Sequence, residues 1–340
     1  MFLAVFCFTA SAAFAAGSET LKSGDFSLKL PLGLSAKDVM IPADNPMSRE
    51  KVELGRALYF DKRLSADDTV ACATCHAPAN GFTDNLPVSS GIKGQKGGRS
   101  APTVINRAFS DVQFWDGRAA TLEAQAKGPI TNPIEMGIPN HDVAVKKIAA
   151  IKGYAEWFKK VFGKDVNIDD MARAIAAFER TVVSGNSKYD RYQVGDKKAL
   201  SAGEKRGLDI FEGKGNCIRC HGGANFTDEE YHNIGVGMSA TNPDLGRYVV
   251  TKKEEDKGAF KTPTLRDISA TAPYMHDGSD KTLMDVVEFY DKGGAANANL
   301  SKRVEKLGLT AQEKKDLVAF MEALSGEGWR HITAPKEFPK

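Results

Sequence analysis

Apolar residues recur with a period near 3.6 over six stretches: Ser48–Phe60, Asp142–Phe162, Ile168–Ser184, Ala202–Phe211, Lys281–Tyr290 and Ala311–Ser325. A helix turns once per 3.6 residues, so this spacing lays an apolar stripe along one face and predicts a helix over each stretch. Ser48, Asp169 and Ser201 stand where a side-chain oxygen would cap a helix start, and Gly163 and Gly326 where a helix would stop. No series of alternating strand type stands out. Ala77–Ser100 and Asn225–Lys261 are rich in Gly, Pro, Asn and Asp, the composition of loops that wrap a ligand. The expected class is mainly α.

The first sixteen residues break this pattern. Phe2 to Phe14 is apolar and uncharged and runs into Ala12, Ala13, Ala15 and Ala16. That is the form of a secretory h-region with an Ala-x-Ala cleavage site near Ala16, which predicts a signal peptide over 1–16 and a periplasmic protein. The stretch is shorter than the roughly 20 residues that a spanning helix needs, so a membrane-embedded chain is not expected. Net charge is +2 in 340 residues, which gives no reason to expect nucleic acid as a partner.

Cys7 lies in that leader. The other four cysteines fall in two motifs, Cys72-Ala73-Thr74-Cys75-His76 and Cys217-Ile218-Arg219-Cys220-His221. C-x-x-C-H is the attachment pattern of haem c: two thiols one turn apart add to the two vinyl groups, and the next residue sets an imidazole under the iron. A redox C-x-x-C lacks its strand–helix context here, and a zinc site fits poorly with a histidine directly after each pair. Disulfides within C-x-x-C would be strained staples. Two covalent haems are therefore expected, held by Cys72, Cys75 and His76, and by Cys217, Cys220 and His221.

The chain also repeats itself. Pro102-Thr103-Val104, Asp116-Gly117 and Thr121-Leu122 recur at an offset of 161 as Pro263-Thr264-Leu265, Asp277-Gly278 and Thr282-Leu283. The haem motifs themselves are offset by 145. This reads as an internal duplication, with the boundary in the polar stretch Ser184–Lys198 and domains over 17–190 and 191–340.

These motifs resemble those of the bacterial di-haem cytochrome c peroxidase and MauG superfamily. Besides both C-x-x-C-H motifs, the resemblance rests on Ala101-Pro102-Thr103-Val104, Phe114-Trp115-Asp116-Gly117-Arg118 and Asn132-Pro133-Ile134-Glu135-Met136. It extends to Pro263-Thr264-Leu265-Arg266 and to Thr271-Ala272-Pro273-Tyr274 with His276-Asp277-Gly278. It implies two cytochrome c-like domains, an N-terminal haem that meets hydrogen peroxide and a C-terminal haem that relays electrons. By the same likeness Trp115 mediates transfer between the haems, Glu135 is the acid–base carboxyl of the peroxide pocket, and Gln125 is a further pocket residue.

Axial ligands decide between open and closed haems. Classical members guard the peroxide haem with a second histidine; the matching position here is Ile92, and no histidine lies between His76 and His141. The first haem is therefore expected to be open. For the second, the resemblance puts Tyr290 at the position that holds Met in classical members and Tyr in MauG-type ones. Met275 is a rival ligand and Met238 a more distant one. The family's calcium site matches the carbonyls of Thr271 and Pro273, with Ser100 at its third position and Asn106 nearby.

Three functions follow. The first is peroxide reduction with electrons from a small redox protein, a cytochrome c or a cupredoxin. The second is MauG-like oxidation of Tyr or Trp side chains on a partner protein, and the third a non-catalytic di-haem electron carrier. Family members are often homodimers. His232 and His331 read as structural or surface residues.

Overall fold

The computed structural model describes residues 17–340, so the expected leader lies outside the described residues. The chain is mainly helical, and its helices begin where a side chain caps them. Ser48 accepts from the Lys51 N–H at the start of Arg49–Phe60, and Thr121 from Ala124 at the start of Leu122–Thr131. Ala202–Glu212 and Ala311–Glu322 start on capping boxes, Ser201 with Glu204 and Thr310 with Glu313.

Several expectations change. Asp142–Phe162 is two helices, His141–Ala149 and Lys152–Phe162, separated at the extended residue Ile151. The buried residues explain the break. Ala144 and Ile148 share a face, but Tyr154, six residues further on, would point roughly 120° away in an unbroken helix. The next helix, Ile168–Glu179, is capped by Asn167, not Asp169, which sits in its first turn. Gly163 does end a helix in left-handed backbone, whereas Gly326 follows a helix that has already stopped at Glu322. Gly326 serves close approach instead: a Cβ there would meet the Ser184 hydroxyl at 2.4 Å. Leu122–Thr131 was not expected as a helix, since Pro129 disguises it, yet this proline falls in the last turn. A short hairpin also escaped the pattern, with Thr20–Ser23 antiparallel to Phe26–Lys29 and Leu21 opposite Leu28.

Two apolar cores result. The first gathers residues from Leu54 to Val182 around Tyr59, Phe158 and Phe178, and the second residues from Tyr189 to Leu324 around Phe211 and Phe320. Each is built on one crossed helix pair. Arg49–Phe60 meets Ile168–Glu179 so closely that a Cβ on Gly55 would come within 1.8 Å of the Ala174 carbonyl. Ala202–Glu212 meets Ala311–Glu322 in the same way, with Gly207 against Asp316.

The stretch Ser184–Lys198 is mostly buried over its first half and exposed from Val194 to Lys198. It holds the helix Lys188–Gln193, whose Asp190 is fully buried and bound at both oxygens by Arg266, at 2.7 and 2.9 Å. The C-terminal segment then returns to the first half. Trp329 packs edge-on to Phe82, and the Gly153 N–H donates to the Lys340 carbonyl.

Candidate functional site

Cys72–Cys75 forms one helical turn, so both thiols precede a His76 whose N–H is bound to the Cys72 carbonyl. The His221 N–H bonds Cys217 in the same way. Each imidazole is then oriented from behind. Nδ1 of His76 lies 3.3 Å from the Phe82 carbonyl, and Nδ1 of His221 lies 3.0 Å from that of Phe226. A carbonyl only accepts, so Nδ1 holds the proton and Nε2 keeps a free lone pair, the tautomer that ligates iron. Burial lowers the pKa of both histidines and keeps them neutral. The four cysteines among the described residues form no disulfide. Burial pushes Cys75 up to about 11 and Cys217 up to about 12, so both are protonated thiols, whereas Cys220, buried but bonded to His232 and Arg303, is held below the ordinary thiol value. Neutral imidazoles and paired free thiols beside large cavities fit haem c at both places.

His76 and Cys75 line one cavity, of about 510 Å³, together with Gln125, Pro129, Glu135 and Trp115. Gln125 and Pro129 stand one turn apart on Leu122–Thr131, on the face turned to the cavity. Glu135 closes the tight turn after that helix, where Asn132 donates to its carboxyl at 2.7 Å. Burial raises the pKa of Glu135 against the opposing pull of Arg118. Ile92 is buried, and its N–H donates to the Glu135 carbonyl. His141 contacts the Lys127 carbonyl through Nε2.

His221 and both cysteines of its motif line the second cavity, of about 240 Å³, with Tyr290, Met275, Thr271 and Pro273. Burial, reinforced by the two cysteines, raises the Tyr290 pKa. Met238 packs against Gly258 instead. Asn106 is no candidate for a cation, because its amide is bound to both the N–H and the carbonyl of Ser184. The two main-chain carbonyls and one serine left over bring no carboxylate, a weak set for calcium, and no step is derived from one.

One wall separates the cavities. Ser100–Thr103, Arg107, Trp115, Lys261 and Pro263 border both. Trp115 is fixed in it, its indole N–H donating to the Ser100 carbonyl at 2.9 Å and its carbonyl accepting from the Lys261 N–H. Sequence reasoning found Trp115 but missed Arg107, Lys261 and Glu179, all of which border a cavity. It also read His232 as merely structural or surface. His232 borders the second cavity, bonded to Asp228 at 3.0 Å, while His331 is exposed. Among the described residues no helix is long and apolar enough to cross a membrane.

Two cavities, each faced by a poised imidazole, the first by Cys75 and the second by Cys217 and Cys220, and joined by a tryptophan wall, define a two-centre redox protein. Comparison with known proteins gives the particular family. The family model for di-haem cytochrome c peroxidase matches residues 49–198. A cytochrome-c peroxidase, IdrP1 of Pseudomonas sp. (strain SCT), is 40% identical over 318 residues, covering 84% of each chain. The methylamine utilization protein MauG of Methylorubrum extorquens is 42% identical over 290 residues, covering 84% of this chain and 81% of its own. A solved MauG-like protein associated with microbial copper homeostasis superposes with a TM-score of 0.80 at 36% identity, over 86% of this chain and 94% of that one. The chain belongs to the di-haem cytochrome c peroxidase and MauG family.

Proposed function

We propose that this protein is a di-haem c-type peroxidase that reduces hydrogen peroxide to water, with the first cavity as the peroxide site and the second as the electron relay. The observation that carries this reading is Glu135, a carboxyl of raised pKa in the cavity that His76 faces. Ile92, at the position where the resemblance puts a guarding histidine, is packed into the apolar core and is not among the residues that line that cavity. Haem c, attached through Cys72 and Cys75, and through Cys217 and Cys220, would supply the iron that binds peroxide and moves electrons.

The residues supply the proton chemistry. As a carboxylate, Glu135 takes the proton from one peroxide oxygen and returns it to the other, which leaves as water. Asn132 holds that carboxyl in place, and Gln125 borders the same space. Two electrons and two protons per peroxide give two waters. The electrons come from a small redox protein, a cytochrome c or a cupredoxin, and cross through the wall that holds Trp115. Tyr290 would hold the iron of the second haem, in preference to Met275, because it sits on the helix Leu283–Asp291 at the position that Pro129 takes in the first half. The apolar run Phe2–Phe14 supports export to the periplasm.

Tyr290 and Ile92 together favour a second reading, MauG-like oxidation of Tyr or Trp side chains on a partner protein. A pure electron carrier needs neither an acid nor an unguarded cavity. Stoichiometric peroxide added to the fully oxidised holoprotein tests the proposal. An immediate change in the haem spectrum is expected. A spectrum that changes only after an electron has been supplied would mean that the first site is closed. Turnover with reduced cytochrome c or cupredoxin, set against a covalent change in a partner protein, separates the two readings.

A further inference from the structure

The wall between the cavities contains two cations, Lys261 and Arg107, with a single ion-paired carboxylate, Glu229, between them. The Lys261 side chain is 4% exposed, and its Nζ has one carboxylate partner, Glu229 at 3.2 Å, and one carbonyl, Thr262 at 3.0 Å. Arg107 bonds neutral acceptors, the Gln113 amide through Nε at 2.8 Å and the Val112 carbonyl through Nη2 at 2.7 Å. Among the described residues it forms no ion pair. Glu179, buried on the wall of the first cavity, does not balance the account: burial pushes its carboxyl up to about 8, so it is neutral at pH 7, and its Oε2 has no hydrogen-bond partner. Lys261, buried, and Arg107, half-buried, therefore share one ion-paired carboxylate, with Asp228 acting on Lys261 only from beyond ion-pair distance. A buried charge without a counterion is strongly disfavoured, so a second anion is called for.

Burial, with Arg107 adding repulsion, brings Lys261 down to about 8 in the protein alone. Both cations border both cavities. An anion that reaches them has to come from inside a cavity. A guanidinium binds a carboxylate through paired N–H donors, and an ammonium binds one as a point charge.

We propose that Arg107 and Lys261 are a shared binding site for the carboxylate side chains of the two haems, so that one pair of cations sets the reduction potentials of both centres. The inference rests on the di-haem reading. Glu179, neutral and unpartnered, donates its proton to a carboxylate on the first haem. A cation next to a redox centre favours the reduced form, and here the same cation serves two centres. Reducing one haem then changes the field that the other senses, across the wall that also holds Trp115.

The experiment is a spectroelectrochemical titration of the holoprotein, resolving both haems, in Lys261→Gln, Lys261→Arg and Glu229→Gln. Lys261→Gln is expected to lower both midpoint potentials. Glu229→Gln, which removes the competing anion and leaves the cation, is expected to raise both, so the proposal remains testable if the lysine variant does not fold. Lys261→Arg is expected to keep both near the native values. Midpoints that stay put, a shift confined to one haem, or shifts of the same sign in the Gln variants would overturn the inference. Covalent haem measured by pyridine haemochrome keeps the two questions apart: fewer than two haems per native chain would sink the di-haem reading itself.

Discussion

Asn106 and Asp267 lie 161 residues apart and both take left-handed backbone, at φ 58° and 55°, each at the start of a 3-10 turn. Phe114 and Met275 follow at the same offset with φ 69° and 71°, and Gly117 and Gly278 with 65° and 66°. Gln113 bridges Ala119 where Tyr274 bridges Asp280. Over this stretch the two halves share one backbone down to its unusual torsions, and the side chains set on it diverge. Pro129 stands where Tyr290 stands, Gln125 where Val286 does, and Glu135 where Ala296 does. Val286 and Tyr290 line the second cavity where Gln125 and Pro129 line the first, while Glu135 lines the first cavity and its counterpart Ala296 is exposed outside the second. The scaffold places two imidazoles alike, and the remaining side chains assign them different work.

Exchanging those side chains should break the contrast. Glu135→Gln is expected to slow the reaction with peroxide by roughly 10²–10⁴-fold, the usual worth of a positioned acid–base group, while both haems stay attached. Stopped-flow spectra at the first haem check this. Proton abstraction needs the carboxylate, and burial raises the native pKa. The native rate should therefore climb with pH through a value above the ordinary glutamate range and then level off, and the variant should lose that step. A variant that reacts at the native rate would remove the chemical distinction between the halves.

A second contrast concerns stability. The position of Ile105 in the first half, a fully buried apolar residue, is taken in the second by Arg266, whose partner Asp190 is equally buried. Arg266 also donates to the Ala224 carbonyl, two residues before the Phe226 that orients His221. Asp190→Asn leaves a buried guanidinium without its anion and is expected to cost about 3–5 kcal/mol. Denaturant unfolding of the holoprotein measures the loss. Ile105→Ala leaves only a cavity and is expected to cost about 2–5 kcal/mol. The sharper comparison is local: Asp190→Asn should perturb the second haem's spectrum and Ile105→Ala should not.

These differences were unequally legible in the sequence. The haem motifs were plain because their chemistry is local, two thiols and an imidazole within five residues. The Ser48 and Ser201 caps were plain for the same reason, since each bonds a backbone group three residues on. The break at Ile151 was hidden because a period near 3.6 tolerates one slipped phase, and the Thr20–Lys29 hairpin because each strand is only four residues long. Arg107 and Lys261 carried no signal. Each is an ordinary surface-type residue, Arg107 in a 3-10 turn and Lys261 at the end of a two-residue strand, and only their place on the same wall, 154 positions apart in the chain, gives them meaning. Within Ser184–Lys198 the buried ionic brace of Asp190 to Arg266 carried no signal either, because its partner lies 76 positions on in the chain.

The smallest expected effect tests whether the repeat extends to the first helix of each half. Ser48 and Ser201 occupy the same place before Arg49–Phe60 and Ala202–Glu212, and they cap differently. Ser48 accepts one bond, from Lys51 at 3.2 Å. Ser201 accepts from the Glu204 N–H at 3.3 Å while its own N–H donates to the Glu204 carboxyl at 2.6 Å. Lys188 holds that carboxyl from the other side at 2.6 Å. Replacing a serine cap by alanine typically costs about 1 kcal/mol. In Ser201→Ala the glutamate still reaches the backbone N–H, so half of the box survives; in Ser48→Ala nothing remains. Both variants should fall near about 1 kcal/mol by denaturant midpoint. The double variant Ser201→Ala with Glu204→Ala should lose more than Ser201→Ala alone, because it frees the second N–H and leaves the Lys188 ammonium without its carboxylate. Equal losses in the single and double variants would show that the reciprocal bond adds nothing and that the two helices start on the same single cap.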